Sequence, residues 1–187
     1  MSQPELLKKV VRALEGAGID YLVTGSIASS LQGLPRATHD IDFVIDIEAA
    51  AVPHLASAFP PPGFHFDEAA ALDAIHRGDM FNLIEAGSGI KIDFWPLKDE
   101  PFDRSRFGRK RAEKILGIPV RVSSPEDTIL MKLKWAEMSG GSEKQFTDAL
   151  NVYEIQFGNL DLKYLNDWAG RLGVASLLVR LKEQAET

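Results

Sequence analysis

Apolar and polar residues follow two different patterns along this chain. Up to about residue 122, short apolar runs bounded by glycine or proline predict strands, with amphipathic helices between them. From Ser124-Pro125 onward, apolar residues recur at helical spacing. We therefore expect an α+β domain over residues 1–122, with a β-sheet and flanking helices, followed by a C-terminal helical bundle over residues 123–187.

The same patterns give approximate bounds for the elements. A strand holding Asp40 and Asp42 stands out, because its other residues are apolar. Ser124, Pro125 and Asp127 are typical of a helix start, with a serine cap and a proline in the first turn. Helices are expected at 4–16, 27–31, 48–59, 68–76, 125–134, 142–156, 161–172 and 174–184, and further strands at 21–23, 80–85, 90–97, 110–116 and 119–122.

Three aspartates are unusual for their positions, because strands are depleted in this residue. Asp40 and Asp42 alternate with apolar residues, so the strand should project both carboxylates to one face. Asp93 lies alone between Ile92 and Phe94. Like charges a few Å apart repel, and a bound divalent cation removes that conflict. Hard oxygen ligands favour Mg²⁺, with Mn²⁺ as a substitute.

Composition narrows the class of protein. A hydrophobic content of 45% and a charged content of 26% are typical of a globular protein, and we find no apolar run of the roughly 18–20 residues that cross a bilayer. The first residues lack the features of a secretory signal, so we expect a cytoplasmic protein with no membrane partner. The chain has no cysteine, and His39, His54, His65 and His76 lack zinc-ligand spacing. Any metal should therefore be held by oxygen.

Charge limits the nucleic-acid hypotheses. A net charge of −6 argues against a protein that coats nucleic acid non-specifically. A basic segment over residues 104–114 is nevertheless present, in which Glu113 offsets six cations. We interpret this segment as a solvated loop and strand edge. It also mildly favours an acceptor that carries phosphate.

Three motifs carry a family resemblance. A Gly-Ser turn before a helix offers backbone N–H groups and a positive dipole end to phosphate oxygens. Gly25-Ser26, followed by Asp40-Ile41-Asp42 and then by Asp93, resembles the signature of the nucleotidyltransferase superfamily. The resemblance covers most of the chain and is closest to small bacterial abortive-infection (type IV) toxin nucleotidyltransferases, with a looser similarity to aminoglycoside nucleotidyltransferases. Such families imply a mixed sheet of the DNA-polymerase-beta type.

The resemblance implies roles for individual residues. Asp40 and Asp42 would hold one or two Mg²⁺ ions on the triphosphate of an incoming NTP such as ATP, and Asp93 would complete the site. Gly25 and Ser26 would cradle the β and γ phosphates. Further matching residues are Arg36 and Thr38 before the Asp-x-Asp strand, and Lys132 on the helix that follows Ser124-Pro125-Glu126-Asp127. Arg36 and Lys132 would bind the nucleotide, although a lysine on an amphipathic helix usually faces solvent.

Two further features allow two interpretations each. Lys144 and Asp148 match a basic-x-x-x-acid element of the toxin-like group, and the alternative is an i,i+4 ion pair in its less favourable orientation. Trp95 should share the face of Asp93. It would then stack on a base or sugar, or pack in the core as most aromatic residues do.

The functional hypothesis is transfer of a nucleoside monophosphate from an NTP to an acceptor hydroxyl or phosphate, with release of pyrophosphate. RNA, protein and small-molecule acceptors stay open, as does a cognate antitoxin as partner. One alternative is a non-catalytic nucleotide- or partner-binding module with the same fold. Another is a metal-dependent phosphodiesterase, which would use water as the nucleophile and release no pyrophosphate.

Overall fold

The computed structural model describes residues 1–186, and nearly all of them belong to helices, strands or short turns. The helices are α1 (Gln3–Gly16), α2 (Gly25–Gln32), α3 (Val52–Ser57), α4 (Glu68–Arg77), α5 (Pro101–Gly108), α6 (Pro125–Met138), α7 (Glu143–Gln156), α8 (Leu162–Arg171) and α9 (Ala175–Gln184). The strands are β1 (Asp20–Thr24), β2 (Asp40–Asp46), β3 (Phe64–Phe66), β4 (Phe81–Glu85), β5 (Lys91–Pro96), β6 (Arg111–Ile115) and β7 (Ile118–Val122).

The chain divides into two compact units. The first unit contains residues 1–24 and 38–122, and the second contains residues 25–37 together with the chain from Ser123 onward. The α+β class predicted from the sequence is confirmed, because strands and helices share the first unit while the second is helical. Within residues 1–186, no helix combines the length and the apolar composition needed to cross a membrane.

The first unit is built on a mixed sheet. Among the described residues, its strands follow the order β3-β4-β5-β2-β1-β7-β6. β2 runs parallel to β5, and β1 runs parallel to β7, whereas the remaining neighbours are antiparallel. Because side chains alternate along each strand, this register sorts the residues of the central strands onto two faces with different chemistry.

One face of the sheet is an aromatic core. Phe43 on β2 is fully buried, and its ring centroid lies 5.8 Å from that of Tyr21 on β1 and 5.8 Å from that of Phe94 on β5. Phe81 on β4 continues the row at 5.3 Å from Phe94. These distances are typical of favourable aromatic pairs, so large rings tie four neighbouring strands together.

The structure corrects three expectations about the first unit. The single helix expected at 48–59 is a 3₁₀ turn (Ala49–Ala51) followed by the short α3, with Pro53 in its first turn as expected. β3 was not expected, because three residues after a proline-rich stop give too short a pattern to detect. α5 was not expected either, because it buries few apolar side chains, chiefly Phe102 and Phe107. The basic segment 104–114 is therefore a helix end followed by β6, rather than a loop and strand edge throughout.

The second unit is a helical bundle to which α2 belongs. Its core comes from apolar residues of α6 to α9, with α7 contributing Phe146, Ala149 and Val152. The side-chain amide of Gln32 on α2 donates to the Ser123 carbonyl at 2.5 Å, and that of Gln156 on α7 donates to the Gln32 carbonyl at 2.9 Å. Residues 25–37 were expected in the first domain, whereas these contacts attach them to the C-terminal helices.

Gly33, immediately after α2, lies close to the backbone of α7. A Cβ atom there would lie 3.0 Å from the Ser29 carbonyl oxygen and 3.0 Å from the Val152 backbone nitrogen. Backbone atoms cannot rotate away as side chains can, so the two helices would have to separate. We expect Gly33→Ala to lower the free energy of unfolding by about 1–3 kcal/mol, measured by urea denaturation.

Gly16→Ala is the control for this prediction. Gly16 likewise lies at the end of a helix, as the last residue of α1, and a Cβ atom there would meet nothing within 4 Å. Alanine should be neutral or slightly stabilising at that position. Equal stability of the two variants would mean that α2 does not pack against α7 as described.

Candidate functional site

The sheet of the first unit places the three aspartates on one face. β2 buries Ile41 and Phe43 and leaves Asp40 exposed, with Asp42 partly exposed. In the parallel pair of β2 and β5, Asp42 lies directly opposite Asp93. Register partners on neighbouring strands point to the same side of a sheet, so Asp40, Asp42 and Asp93 share the face opposite the aromatic core.

Asp93 is the most enclosed of the three acids. The residue is 7% exposed, and its Oδ2 atom lies 2.8 Å from the Nζ atom of Lys91. Its Oδ1 atom is buried and has no hydrogen-bond partner among residues 1–186. A buried carboxylate oxygen without a partner is costly unless a ligand satisfies it, so Oδ1 is available to an incoming donor or cation.

Lys91 was missed by the sequence analysis, although it occupies the acidic face. It lies opposite Asp40 in the β2–β5 register, and its side chain is about one-third exposed. The hydrogen bond to Asp93 is the main cause of its raised pKa, and the charges of Asp93, Asp40 and Asp42 add to it against the opposing effect of burial. A lysine two residues before Asp93 on the same strand was visible as a sequence signal.

The acids fit a hard divalent cation by ligand type, by their shared face and by the buried Oδ1 of Asp93, which has no hydrogen-bond partner among the described residues. Within residues 1–186, however, no group of three or more acidic or histidine side chains is close enough to hold a metal as the side chains stand. The ammonium of Lys91 contacts Asp93 from the same face. A cation that binds through Asp93 would therefore lie close to the positive charge of Lys91.

Farther along the same face, α5 covers the sheet. Phe107 of α5 packs with Leu22 of β1 and Val44 of β2, and Trp95 packs against this cluster. This contact favours the packing interpretation of Trp95 over base stacking. The acids thus lie beyond the apolar part of the face, at the ends of β2 and β5 that α5 leaves open.

The cations of the basic segment are largely paired. Arg104 pairs with Asp99, Arg106 with Asp103, and Lys110 with Asp20, at N–O distances of 3.0, 2.6 and 2.5 Å. Ion-paired residues have less charge to offer a phosphate backbone. These contacts weaken the argument from this segment for a phosphate-bearing acceptor.

The second unit holds a buried cluster of two cations around one acid. Arg36 donates from Nε and Nη2 to the two carboxylate oxygens of Asp148, at 2.9 and 2.8 Å. Lys132 Nζ donates to Asp148 Oδ2 at 2.7 Å. Arg36 Nη2 also donates to the hydroxyl of Ser26 at 2.7 Å. Ser26, Arg36, Lys132 and Asp148, which were predicted from separate parts of the sequence, are therefore connected.

The electrostatics of this cluster favour ionised side chains. Burial raises the pKa of Asp148, but the hydrogen bonds from Arg36 and Lys132 and their charges outweigh it, so the pKa lies below its ordinary value. The bond to Asp148 likewise raises the pKa of Arg36. Two cations on one carboxylate leave a net positive charge, which is suited to an anionic ligand.

Lys144 is not part of this cluster. It is exposed on α7, and Asp148 is bound to Arg36 and Lys132 instead of forming the i,i+4 pair. The ion-pair interpretation of Lys144 and Asp148 is therefore wrong. Thr38 belongs to the first unit, where its hydroxyl donates to the Asp40 carbonyl at 3.3 Å and its own carbonyl accepts from the Gln3 side chain at 3.0 Å.

Gly25 begins α2 immediately after the last residue of β1. Its φ of +64° lies in the left-handed region, which glycine adopts without the steric cost that a Cβ atom imposes. The strand can therefore turn directly into a helix, and the first backbone N–H groups of α2 have no partner within the helix. Free N–H groups and the positive end of the helix dipole are favourable for phosphate.

Solved structures share this architecture. The antibiotic-resistance factor ANT(2'')-Ia matches with a TM-score of 0.56 and 17% identity over 97% of this chain and 98% of its own. The chain has the nucleotidyltransferase fold. A second structure of ANT(2'')-Ia, in complex with adenylyl-2''-tobramycin, gives a TM-score of 0.54 and 16% identity over 98% and 99% of the two chains.

A nucleotidyltransferase-like antigenic protein from Paracoccidioides brasiliensis also matches, with a TM-score of 0.54 and 20% identity over 100% of this chain and 96% of its own. No model of a protein family and no curated protein matches the sequence. The nucleotidyltransferase fold expected from the motifs is thus confirmed, and the toxin subtype stays a prediction.

The ion pairs of Asp148 in the second unit lead to a prediction about the free energy of unfolding. Asp148→Asn should lower the free energy of unfolding by about 3 kcal/mol at pH 7, because two cations lose their buried counter-charge. The folded pKa of Asp148 lies below the unfolded value of about 3.9, so its contribution is complete above that pH and is lost as the pH falls below it. Chemical denaturation between pH 2.5 and 7 should show the difference narrowing in acid.

Asp167→Asn serves as the control for Asp148→Asn. Asp167 lies in the same unit and pairs with Lys163 at 3.7 Å, but its side chain is 57% exposed. An exposed pair contributes little, so this variant should stay within about 0.5 kcal/mol of the wild type. A similarly small effect of Asp148→Asn would contradict a buried charge cluster.

Proposed function

We propose that this protein transfers a nucleoside monophosphate from an NTP to an acceptor, with Mg²⁺ as cofactor and pyrophosphate as the leaving group. The observation that carries the proposal is the pairing of Asp42 with Asp93 on adjacent parallel strands, with Asp40 on the same face. The nucleotidyltransferase fold supports it. Mn²⁺ should substitute for Mg²⁺, because it accepts the same oxygen ligands.

Asp40, Asp42 and Asp93 would hold the metal through carboxylate oxygens. When bound, a divalent cation supplies charge neutralisation to the triphosphate and to the oxygens that attack and leave. The acceptor oxygen forms a bond to the α-phosphorus, the bond to the bridging oxygen breaks, and pyrophosphate carries away the electron pair. The acceptor proton passes to Asp93, whose Oδ1 has no partner among the described residues.

The second unit would bind the phosphates. Gly25 and Ser26 offer backbone N–H groups at the start of α2, and Arg36 and Lys132 supply positive charge. Asp148 acts as a positioning residue, because it fixes both cations in one place. Phosphoryl transfer depends on alignment and charge stabilisation more than on covalent help, so fixed cations are useful to it.

Replacing Asp42 is the first test of the proposed metal site. Asp42→Asn should abolish Mg²⁺-dependent release of pyrophosphate from labelled ATP, CTP, GTP or UTP, because an amide is a weak ligand for a hard cation. Its melting temperature should stay within a few degrees of the wild type, since Asp42 is partly exposed.

Asp46→Asn is the matched control, because Asp46 ends the same strand and is exposed. That variant should retain wild-type turnover. Full activity in Asp42→Asn would remove Asp42 from the catalytic role, whereas saturable nucleotide binding without pyrophosphate release in the wild type would favour the non-catalytic module. Cleavage of a phosphodiester without any triphosphate would favour the phosphodiesterase.

Lys132 tests the phosphate-binding role of the second unit. Lys132→Met should raise the KM for NTP by about tenfold or more with a smaller change in kcat, because a cation that contacts phosphate in both the ground and transition states mainly affects binding. Lys134→Met, two residues later on the same helix, should leave the KM unchanged. Equal nucleotide affinity in the two variants would assign Lys132 a structural role beside Asp148.

The acceptor class is suggested by a cavity in the first unit. Its volume is about 930 Å³, within the range of small-molecule sites, and its lining includes Phe66, Phe81, one arginine (Arg77) and four acids (Asp67, Glu68, Asp73 and Asp79). Asn82, one of its lining residues, lies opposite Asp93 in the β4–β5 register, whereas Phe81 belongs to the aromatic face of the sheet. We therefore propose that the acceptor is a small cationic molecule rather than RNA or protein.

A panel of acceptors tests this choice. Amine-bearing sugars, RNA ends and peptides can each be incubated with the protein, labelled NTP and Mg²⁺, and the labelled product identified. Label on RNA or on a protein side chain would overturn the small-molecule proposal. A toxin role, with a cognate antitoxin as partner, is a further proposal, for which growth arrest on expression is the measurement.

A further inference from the structure

Lys91 lies beside the three aspartates that would bind a metal. It is the first residue of β5, opposite Asp40 in register, and it shares the face of Asp42 and Asp93. Its Nζ atom lies 2.8 Å from Asp93 Oδ2. A positive charge therefore already contacts the most buried acid of the site that the proposed function assigns to Mg²⁺.

The negative charges on this face favour a positively charged side chain next to them. Three aspartates on neighbouring positions repel one another, and the repulsion is strongest when no metal is present. Lys91 is the ion-pair partner that the structure gives to Asp93. Its charge compensates the acids in the metal-free protein, so that a half-buried acidic face can fold before any metal binds.

The ammonium group of Lys91 is also able to move away from Asp93. Its side chain is 34% exposed, whereas that of Asp93 is 9% exposed. A long, flexible stem at the beginning of a strand allows the ammonium to move into water while its methylene groups stay in place. Asp93, in contrast, is fixed in mid-strand between Ile92 and Phe94, which are both fully buried.

We propose that Lys91 is a built-in counter-ion that competes with the divalent metal for Asp93, stabilising the metal-free protein and setting its metal affinity. The proposal rests on the proposed function, because it concerns the same acids. In the metal-free protein the Lys91 ammonium holds Asp93 Oδ2, and Oδ1 is buried without a hydrogen-bond partner among the described residues, so a metal reaches the carboxylate only when the ammonium moves away. Metal binding at Asp93 displaces the ammonium toward solvent, and Lys91 is thus a positioning residue rather than a metal ligand.

The test measures metal binding without nucleotide. Lys91→Met keeps the length of the side chain and removes its charge. We expect this variant to bind Mn²⁺ about tenfold more tightly than the wild type, as followed by electron paramagnetic resonance or titration calorimetry. In EDTA its melting temperature should fall by several degrees, because Asp93 loses its partner, and Mn²⁺ should raise it more than it raises that of the wild type.

Two variants control for charge and for general stability. Lys91→Arg keeps the positive charge and should restore a metal affinity close to that of the wild type. Lys110→Met breaks another Lys–Asp pair of the same unit, in which Lys110 Nζ lies 2.5 Å from Asp20. It should lower the melting temperature without changing the Mn²⁺ affinity.

Asp42→Asn separates failure of this proposal from failure of the proposed function. If Asp42→Asn loses Mn²⁺ binding but Lys91→Met binds as the wild type does or more weakly, Lys91 does not compete and this proposal is overturned alone. If Asp42→Asn binds Mn²⁺ as well as the wild type does, the proposed metal site is overturned. Absence of Mn²⁺ binding in both the wild type and Lys91→Met overturns the Lys91 proposal as well.

Discussion

The register of β2 against β5 is the constraint on which the candidate site depends. Because Asp42 lies opposite Asp93, the sheet brings like charges together on one face and turns large aromatic rings to the other. The two faces are linked, since a shift by one residue in β2 would bury Asp42 and expose Phe43. Burial of the aromatic row therefore helps to hold the acids in a repulsive arrangement that they would not adopt alone.

The two units compensate charge in opposite ways. In the first unit, several acids share the positive charge of Lys91, which leaves a negative excess. In the second unit, Arg36 and Lys132 share the negative charge of Asp148, which leaves a positive excess. One excess suits a hard cation and the other suits a phosphate.

Apolar side chains cover part of the sheet face that carries the three aspartates. Phe107 of α5 covers the part of the face formed by Leu22 and Val44, and Trp95 completes that cover. Trp95 therefore packs against this apolar cluster and is not assigned to the candidate site. The cover also explains how a face with several charges can belong to a stable sheet, because the charges are confined to one end of the strands.

The sequence by itself determined the elements with strong local patterns. Alternation in Asp40–Asp46 fixed which side chains of β2 face the core, and the capped start at Ser124 fixed the beginning of α6. The motif spacing led to the nucleotidyltransferase fold. α5 and β3 escaped detection, because α5 has few apolar positions and β3 is only three residues long, so that neighbouring elements stabilise both.

Only the tertiary structure decided which charges meet. Arg36 and Asp148 are 112 positions apart in the sequence, and α2 belongs with the C-terminal helices although it directly follows β1. Asp148 pairs with those distant cations rather than with Lys144, its neighbour one helical turn away. The physical reason is that an exposed helical pair gains little, whereas a buried carboxylate requires partners, and those partners come from wherever the chain returns. The contact of Lys91 with Asp93 is different, because both residues lie on β5, two positions apart.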